Sequence, residues 1–161
     1  MPKLLVAALA LAATLAPVVG EGQPAGTLVG VWRVAEIASP QGATNTSPQP
    51  TLYIFTARHY SHVSVTSSAP RPHYTGPAVT DAQRVQMWQP FSATAGTYEL
   101  KGSQLTLRPM VAKNPGFMGA DSFMTLELTW DGNDVWIRPT QSDRRSLSSS
   151  EGNRVRLSRL E

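Results

Sequence analysis

From Leu28 onward the apolar positions fall in short alternating or continuous runs rich in Val, Tyr, Trp, Thr and Leu, separated by clusters of Pro, Gly, Ser and Asn. Runs of that length and composition, with turn chemistry between them, read as β-strands. The candidate strands are residues 28–37, 51–57, 59–66, 96–101, 104–108, 122–130, 133–138 and 153–160. The run 122–130 alternates most clearly, with Met124, Leu126, Leu128 and Trp130 on one face and Thr125, Glu127 and Thr129 on the other. A strand patterned this way is wet on one side. Tight hairpins are expected at Lys101-Gly102-Ser103 and Asp131-Gly132, where glycine supplies the positive φ that such turns require. The predicted class is therefore all-β, an eight-stranded antiparallel up-and-down barrel. Eight is also the strand count at which a closed barrel can hold one small ligand.

One short helix is expected between the third and fourth strands. Thr80 with Gln83 three residues on makes a capping box, and Asp81 suits the positive end of the helix dipole. Val85 and Trp88 then share a face, and Pro90 ends the helix near Gln89. In a barrel with no other helix, such a segment is expected to plug or lid one end. Three connections are long: 38–50, the proline-rich 67–79, and the Ser-rich 140–152. Loops of this length around a small barrel form functional rims or move.

The first twenty residues carry a different pattern. Lys3 precedes an uncharged apolar run from Leu4 to Ala16, followed by Pro17-Val18-Val19-Gly20. That is the three-zone plan of a secretory signal with a cut after Gly20. A membrane span needs about 20 apolar residues, and this run is bounded by Pro17 and Glu21. The expected organisation is a signal peptide at 1–20, a leader at 21–27, and one β-barrel domain at 28–161. The product is expected to be secreted or periplasmic, with no membrane span after cleavage. The chain has no cysteine, which excludes both a lipid-attached signal and a disulfide framework. Its formal charge of +3 is spread out, without a basic stripe interleaved with aromatics, so nucleic acid is not an expected partner.

Several of these residues together resemble a known family. Gly30-Val31-Trp32-Arg33 on the first strand is similar to the Gly-x-Trp opening of the calycin superfamily, in which the tryptophan closes the barrel floor. Tyr53, Tyr60-Ser61, the Thr80 helix and Ala95-Gly96-Thr97-Tyr98-Glu99 follow the pattern of the small bacterial and fungal lipocalin-like domains. The resemblance spans residues 28–139, with the last strand added more loosely. It implies that Arg159 lies over Trp32, as the arginine near the end of the last strand does in calycins. A guanidinium over an indole face gains about 0.5 to 2 kcal/mol, so Gly30, Trp32 and Arg159 are a structural signature rather than a binding site. The later motifs of animal lipocalins are missing, and their receptor-binding roles do not carry over.

Chemistry is sparse. His59 and His62 lie three apart on a strand, hence on opposite faces, and His73 lies among prolines; no metal site is expected from them. Glu36, Glu99 and Glu127 come from separate strands and are read as solvated or salt-bridged. Neither a Gly-x-Ser-x-Gly elbow nor a cysteine is present to serve as nucleophile. Candidate cavity or lid residues are Tyr60, His62, Trp88, Tyr98, Met124 and Leu126. The leading expectation is a non-catalytic, cofactor-free protein that shelters a small apolar molecule beneath the Thr80 helix and the 67–79 loop. The alternative is an isomerase or cyclase of the same shape, with His62, Tyr60 or Glu127 moving protons. A third reading is a structural domain whose barrel is filled with side chains.

Overall fold

The structure is a computed structural model that describes residues 27–143 and 152–161. The expected signal peptide, all but Thr27 of the expected leader, and residues 144–151 of the expected last loop lie outside the described residues. Among the described residues nine strands form: β1 (Gly30–Ala38), β2 (Thr44–Asn45), β3 (Thr51–Phe55), β4 (His59–Val65), β5 (Phe91–Lys101), β6 (Gln104–Ala112), β7 (Met124–Asp131), β8 (Asp134–Ser142) and β9 (Arg154–Arg159). All pairings are antiparallel. The order runs β1-β3-β4-β5-β6-β7-β8-β9, and β9 pairs back onto β1. Eight strands thus close into an up-and-down barrel, which removes the exposed edges that an open sheet would present. The two-residue β2 only flanks the upper end of β1, through Ile37 and Ala38.

Strand directions give the barrel two unlike ends. One carries the two-residue turns Gly102-Ser103 and Asn133 with Gly132. Both glycines have φ of +60° and their neighbours do not, the pattern of a type II′ hairpin. The other end carries the long connections 39–50, 66–90 and 113–123, and forms a mouth.

The closed end is a packed floor. Trp32 is fully buried among Leu28, Leu105, Leu128, Val135 and Leu157. Its ring lies 6.2 Å from that of Trp130, and its Nε1 donates 2.8 Å to the Leu28 carbonyl. The Arg159 guanidinium sits 4.1 Å over the Trp32 ring and donates to the carbonyls of Val29 (2.8 Å) and Thr27. The leader end is thereby tied beneath the barrel. Gly30, at φ +145°, is where this approach is tightest: a Cβ there would run into Arg159 and the backbone of Glu161.

Two strands run past the prolines at which the sequence pattern ends them. Pro109 pairs with Gly96 and Pro139 with Leu126, each at a register shift that skips one residue, Met110 and Thr140. A bulge interrupts the ladder anyway, so the missing N–H of proline costs little there. β5 likewise begins at Phe91 instead of 96, because Ser92 to Ala95 are small residues with little hydrophobic signal but full pairing to β4.

The helix α1 (Asp81–Trp88) has the expected cap: Thr80 Oγ1 accepts from the Gln83 amide and the Thr80 amide donates 2.9 Å to Gln83 Oε1. Its position differs from the expectation, since α1 follows β4 once the unforeseen β2 is counted. Its role as a plug also fails. None of its residues is buried, and Val85 and Trp88 are more than half exposed. The sequence Asp-Ala-Gln-Arg-Val-Gln-Met-Trp has no continuous apolar stripe to bury. Two cations from outside the helix hold it instead. Arg71 donates to the Met87 carbonyl (2.7 and 3.0 Å), and Lys113 Nζ to the carbonyls of Trp88, Gln89 and Phe91. The helix leaves its last carbonyls unpaired at its negative end, where positive charge is favoured.

Candidate functional site

The floor fills the lower half of the barrel; the upper half contains a mostly enclosed cavity of about 150 Å³. Period-two alternation sends Tyr53 of β3, Tyr60 and His62 of β4, and Thr94 of β5 inward, and register places them side by side: Tyr53 faces His62, and His62 faces Thr94. Tyr53 and His62 stack with centroids 4.2 Å apart at 20°. Phe55 continues the row below Tyr53 at 6.0 Å, and Tyr98 meets Phe55 edge-on at 5.3 Å.

The opposite wall is apolar. Leu107 and Pro109 come from β6, Met124 and Leu126 from β7, and Phe117 and Phe123 from the connection between those strands. A single 3₁₀ turn, Pro115–Phe117, places Phe117, with Asn114 Oδ1 accepting 3.0 Å from the Gly116 amide as its cap. At the rim, buried Ser122 donates 2.9 Å from Oγ to Asp143 Oδ2.

Burial sets the charge state of this wall. It lowers the His62 pKa to about 4, so the imidazole is neutral at pH 7. It pushes the Tyr53 hydroxyl well above its ordinary value, and raises Tyr60 too, although the Thr94 side chain opposes the shift through a hydrogen bond. The cavity therefore presents two phenol hydroxyls and a neutral imidazole as polar anchors. Among the described residues, Asp143 is the one acid that lines it.

A second space, of about 380 Å³, opens to solvent on the other side of the same stack. Val34 and Ile37 of β1, Val155 of β9, Thr51, Ser64, Ser67, Ser68, Asn45 and Gln49 line this vestibule, and Tyr53 and His62 border both spaces. A register shift between Val34 and Glu36 turns Val34 and Ile37 to the same side although they are three apart.

Of the residues singled out in the sequence, Tyr60, His62, Met124 and Leu126 come together around the cavity. Tyr98 and Trp88 do not. Tyr98 lies toward the floor, with its hydroxyl donating 2.7 Å to the Thr56 carbonyl. Trp88 stands outside the barrel, under Lys113 at 5.1 Å and against Phe91 at 5.6 Å. Glu127 faces outward and pairs with Arg138. His59 is exposed, on the face opposite His62. Among the described residues, no three His, Cys, Asp or Glu side chains gather where they could hold a metal ion. The candidate site residues did not include Tyr53, Ser122 or Phe123, although all three lie in runs read as strands, nor Phe117 and Asp143, which lie in loops that carry no periodicity. For those two the only local signal was the Asn-Pro-Gly turn ahead of Phe117.

No family model matches the chain, and no curated protein matches it. Among solved structures it is similar to a lipocalin-like protein from Bacteroides uniformis, with 13% identity and a TM-score of 0.48, covering 83% of this chain and 98% of that one. It is also similar to an uncharacterized protein from Bacteroides eggerthii, with 13% identity and a TM-score of 0.44, covering 81% of this chain and 98% of that one. Eight antiparallel strands closed in sequence order, floored by Trp32 under Arg159 and open at the end with the long loops, make the fold lipocalin-like.

Proposed function

We propose that this chain is an exported carrier that binds a small, uncharged, mainly apolar molecule in the upper half of its barrel and does not transform it. The observation that carries this reading is the covered cavity, with an apolar wall of Leu107, Met124, Leu126, Phe117 and Phe123 facing Tyr53, Tyr60 and His62. At about 150 Å³ it is smaller than the usual drug-sized pocket of roughly 300 Å³ or more. An apolar cavity of that order holds a single benzene-sized ring. The ligand part it accepts is thus one ring or an aliphatic group of similar bulk. Export is supported by the signal-like pattern of residues 1–20.

Catalysis has less support. Of the three proton carriers considered for it, Glu127 is on the outer wall, burial makes His62, with a pKa of about 4, a weak base, and burial makes Tyr60 a weaker acid than an ordinary phenol. A fully filled barrel fits the floor but not the upper half. Mass spectrometry of small molecules extracted from the protein purified from its native host tests the carrier reading. A stoichiometric neutral compound with a ring-sized apolar group is expected. Recovery of no compound, together with no binding of phenol, toluene or cyclohexanol by calorimetry, would reject it. The exported form is expected to begin at Glu21, as read by N-terminal sequencing of the secreted protein; a product retaining residues 1–20 rejects export with cleavage.

A further inference from the structure

The two spaces in the upper barrel differ in chemistry, and the difference restricts the ligand further. The covered cavity is walled mainly by carbon. The vestibule beside it is mixed: Val34, Ile37, Pro48, Val65 and Val155 give it apolar surface, while Thr51, Ser64, Thr66, Ser67 and Ser68 offer hydroxyls and Asn45 and Gln49 offer amides. Among the described residues, no Lys, Arg, Asp or Glu lines it. Tyr53 and His62 form the partition, since their stacked rings border both spaces.

We infer that the ligand is a two-part neutral molecule: a compact ring in the covered cavity, joined to a polyhydroxylated, uncharged group in the vestibule, as in an aryl glycoside. Five hydroxyls and two amides line the vestibule. Thr51 and Ser67 already donate to the Gln49 and Ala69 carbonyls, and Asn45 Oδ1 accepts from the Ser47 amide. The oxygens of the first two still accept and the other groups both donate and accept, which matches sugar-type hydroxyls and suits an ionic headgroup poorly. A carboxylate, phosphate or ammonium tail would find no counter-charge among the described residues of the vestibule and would lose hydration on entering it. A wholly apolar tail would leave Ser64, which is buried, facing carbon. The vestibule, at about 380 Å³, has room for one hexose-sized group. Tyr53 and His62, which border both spaces, are the groups that a linking oxygen would lie against.

The inference rests on the carrier reading, and calorimetry with four probes separates the two. Phenyl β-D-glucopyranoside is expected to bind at least about tenfold tighter than phenol, about 1.4 kcal/mol, and tighter than methyl β-D-glucopyranoside. Phenyl β-D-glucuronide, the same shape with a carboxylate, is expected to bind about tenfold or more weaker than the glucoside. Ser64→Ala should weaken the glucoside several-fold and leave phenol unchanged. Met124→Phe, which fills the cavity, should weaken both, with circular dichroism checking that each variant is folded. Equal affinities for phenol and phenyl glucoside would overturn the two-part ligand while leaving the carrier reading intact, as would glucuronide binding as well as glucoside. Methyl glucoside binding as tightly as phenyl glucoside, or no binding by phenol and both glucosides, would overturn the two-part ligand, and the carrier reading falls with it only if toluene and cyclohexanol also fail to bind and no compound is recovered from the native protein.

Discussion

Single residues account for both the firmness of the floor and the neutrality of the cavity. Arg159 covers the Trp32 ring and donates to the Val29 and Thr27 carbonyls, so one side chain joins the last strand, the first strand and the segment before it. Arg159→Met keeps much of the aliphatic stem but removes the donors and the charge. It is expected to cost about 1–3 kcal/mol in urea unfolding. Trp32→Ala, which empties the fully buried floor, should cost more, about 3–5 kcal/mol. His62 gives the protein a pH signature. Its pKa is about 4 in the folded state against an ordinary 6.5 for a solvated imidazole, so the unfolded chain takes up the proton first. The stabilising effect of keeping it neutral is complete above pH 6.5 and is lost as pH falls from there toward 4, a change on the order of 3 kcal/mol. His62→Phe preserves a ring against Tyr53 and removes this proton uptake. Its stability relative to the parent should therefore rise as pH falls from 7 to 4, in urea titrations at matched pH. A constant difference would mean that His62 is solvated and titrates normally.

At the scale of elements, the sheet and the helix are held by different means. The sheet depends on bulges, and the bulge at Gly96 works because the β6 backbone passes very close: a Cβ there would collide with the Arg108 carbonyl. Gly96→Ala should destabilise the barrel by about 1–3 kcal/mol, because backbone on both sides must shift. The helix buries nothing and depends on Thr80 at one end and on Arg71 and Lys113 at the other. Thr80→Ala removes about 1 kcal/mol of capping from the helix. It is expected to speed amide exchange at Arg84 to Gln89 while barely moving the thermal midpoint of the barrel, since local opening there does not expose the core. The elements were unevenly legible in the sequence. The helix and both glycine hairpins follow from local chemistry. The upper ends of β6 and β8 do not, because proline normally stops a strand, and only pairing with the neighbouring strand creates the bulge that tolerates it.

For the molecule as a whole, ligand and stability are linked. A ligand that binds only the folded barrel, present at a hundred times its Kd, raises stability by about 2.7 kcal/mol, so the thermal midpoint should climb with concentration of any true occupant. The linear order of residues suffices for the period-two runs, the turns between them and the capped helix, because each is written in residues close together, whereas the Gly30, Trp32 and Arg159 signature was implied by the resemblance to a known family. Linear order also put Tyr60 and His62 on one shared strand face and Met124 and Leu126 on another, without deciding which faces look inward. Long-range packing settles the rest. Alternation tells which residues of one strand share a face, but not how far each strand is sheared against the next, nor where a skipped residue reverses the parity, as it does between Val34 and Ile37. Loop residues such as Phe117 and Asp143 have no parity at all, and Trp88, apolar by type, lies outside because its helix found no apolar stripe to dock. The division of the lumen into a covered apolar cavity and an open vestibule of mixed lining follows from those long-range placements, and no local pattern encodes it.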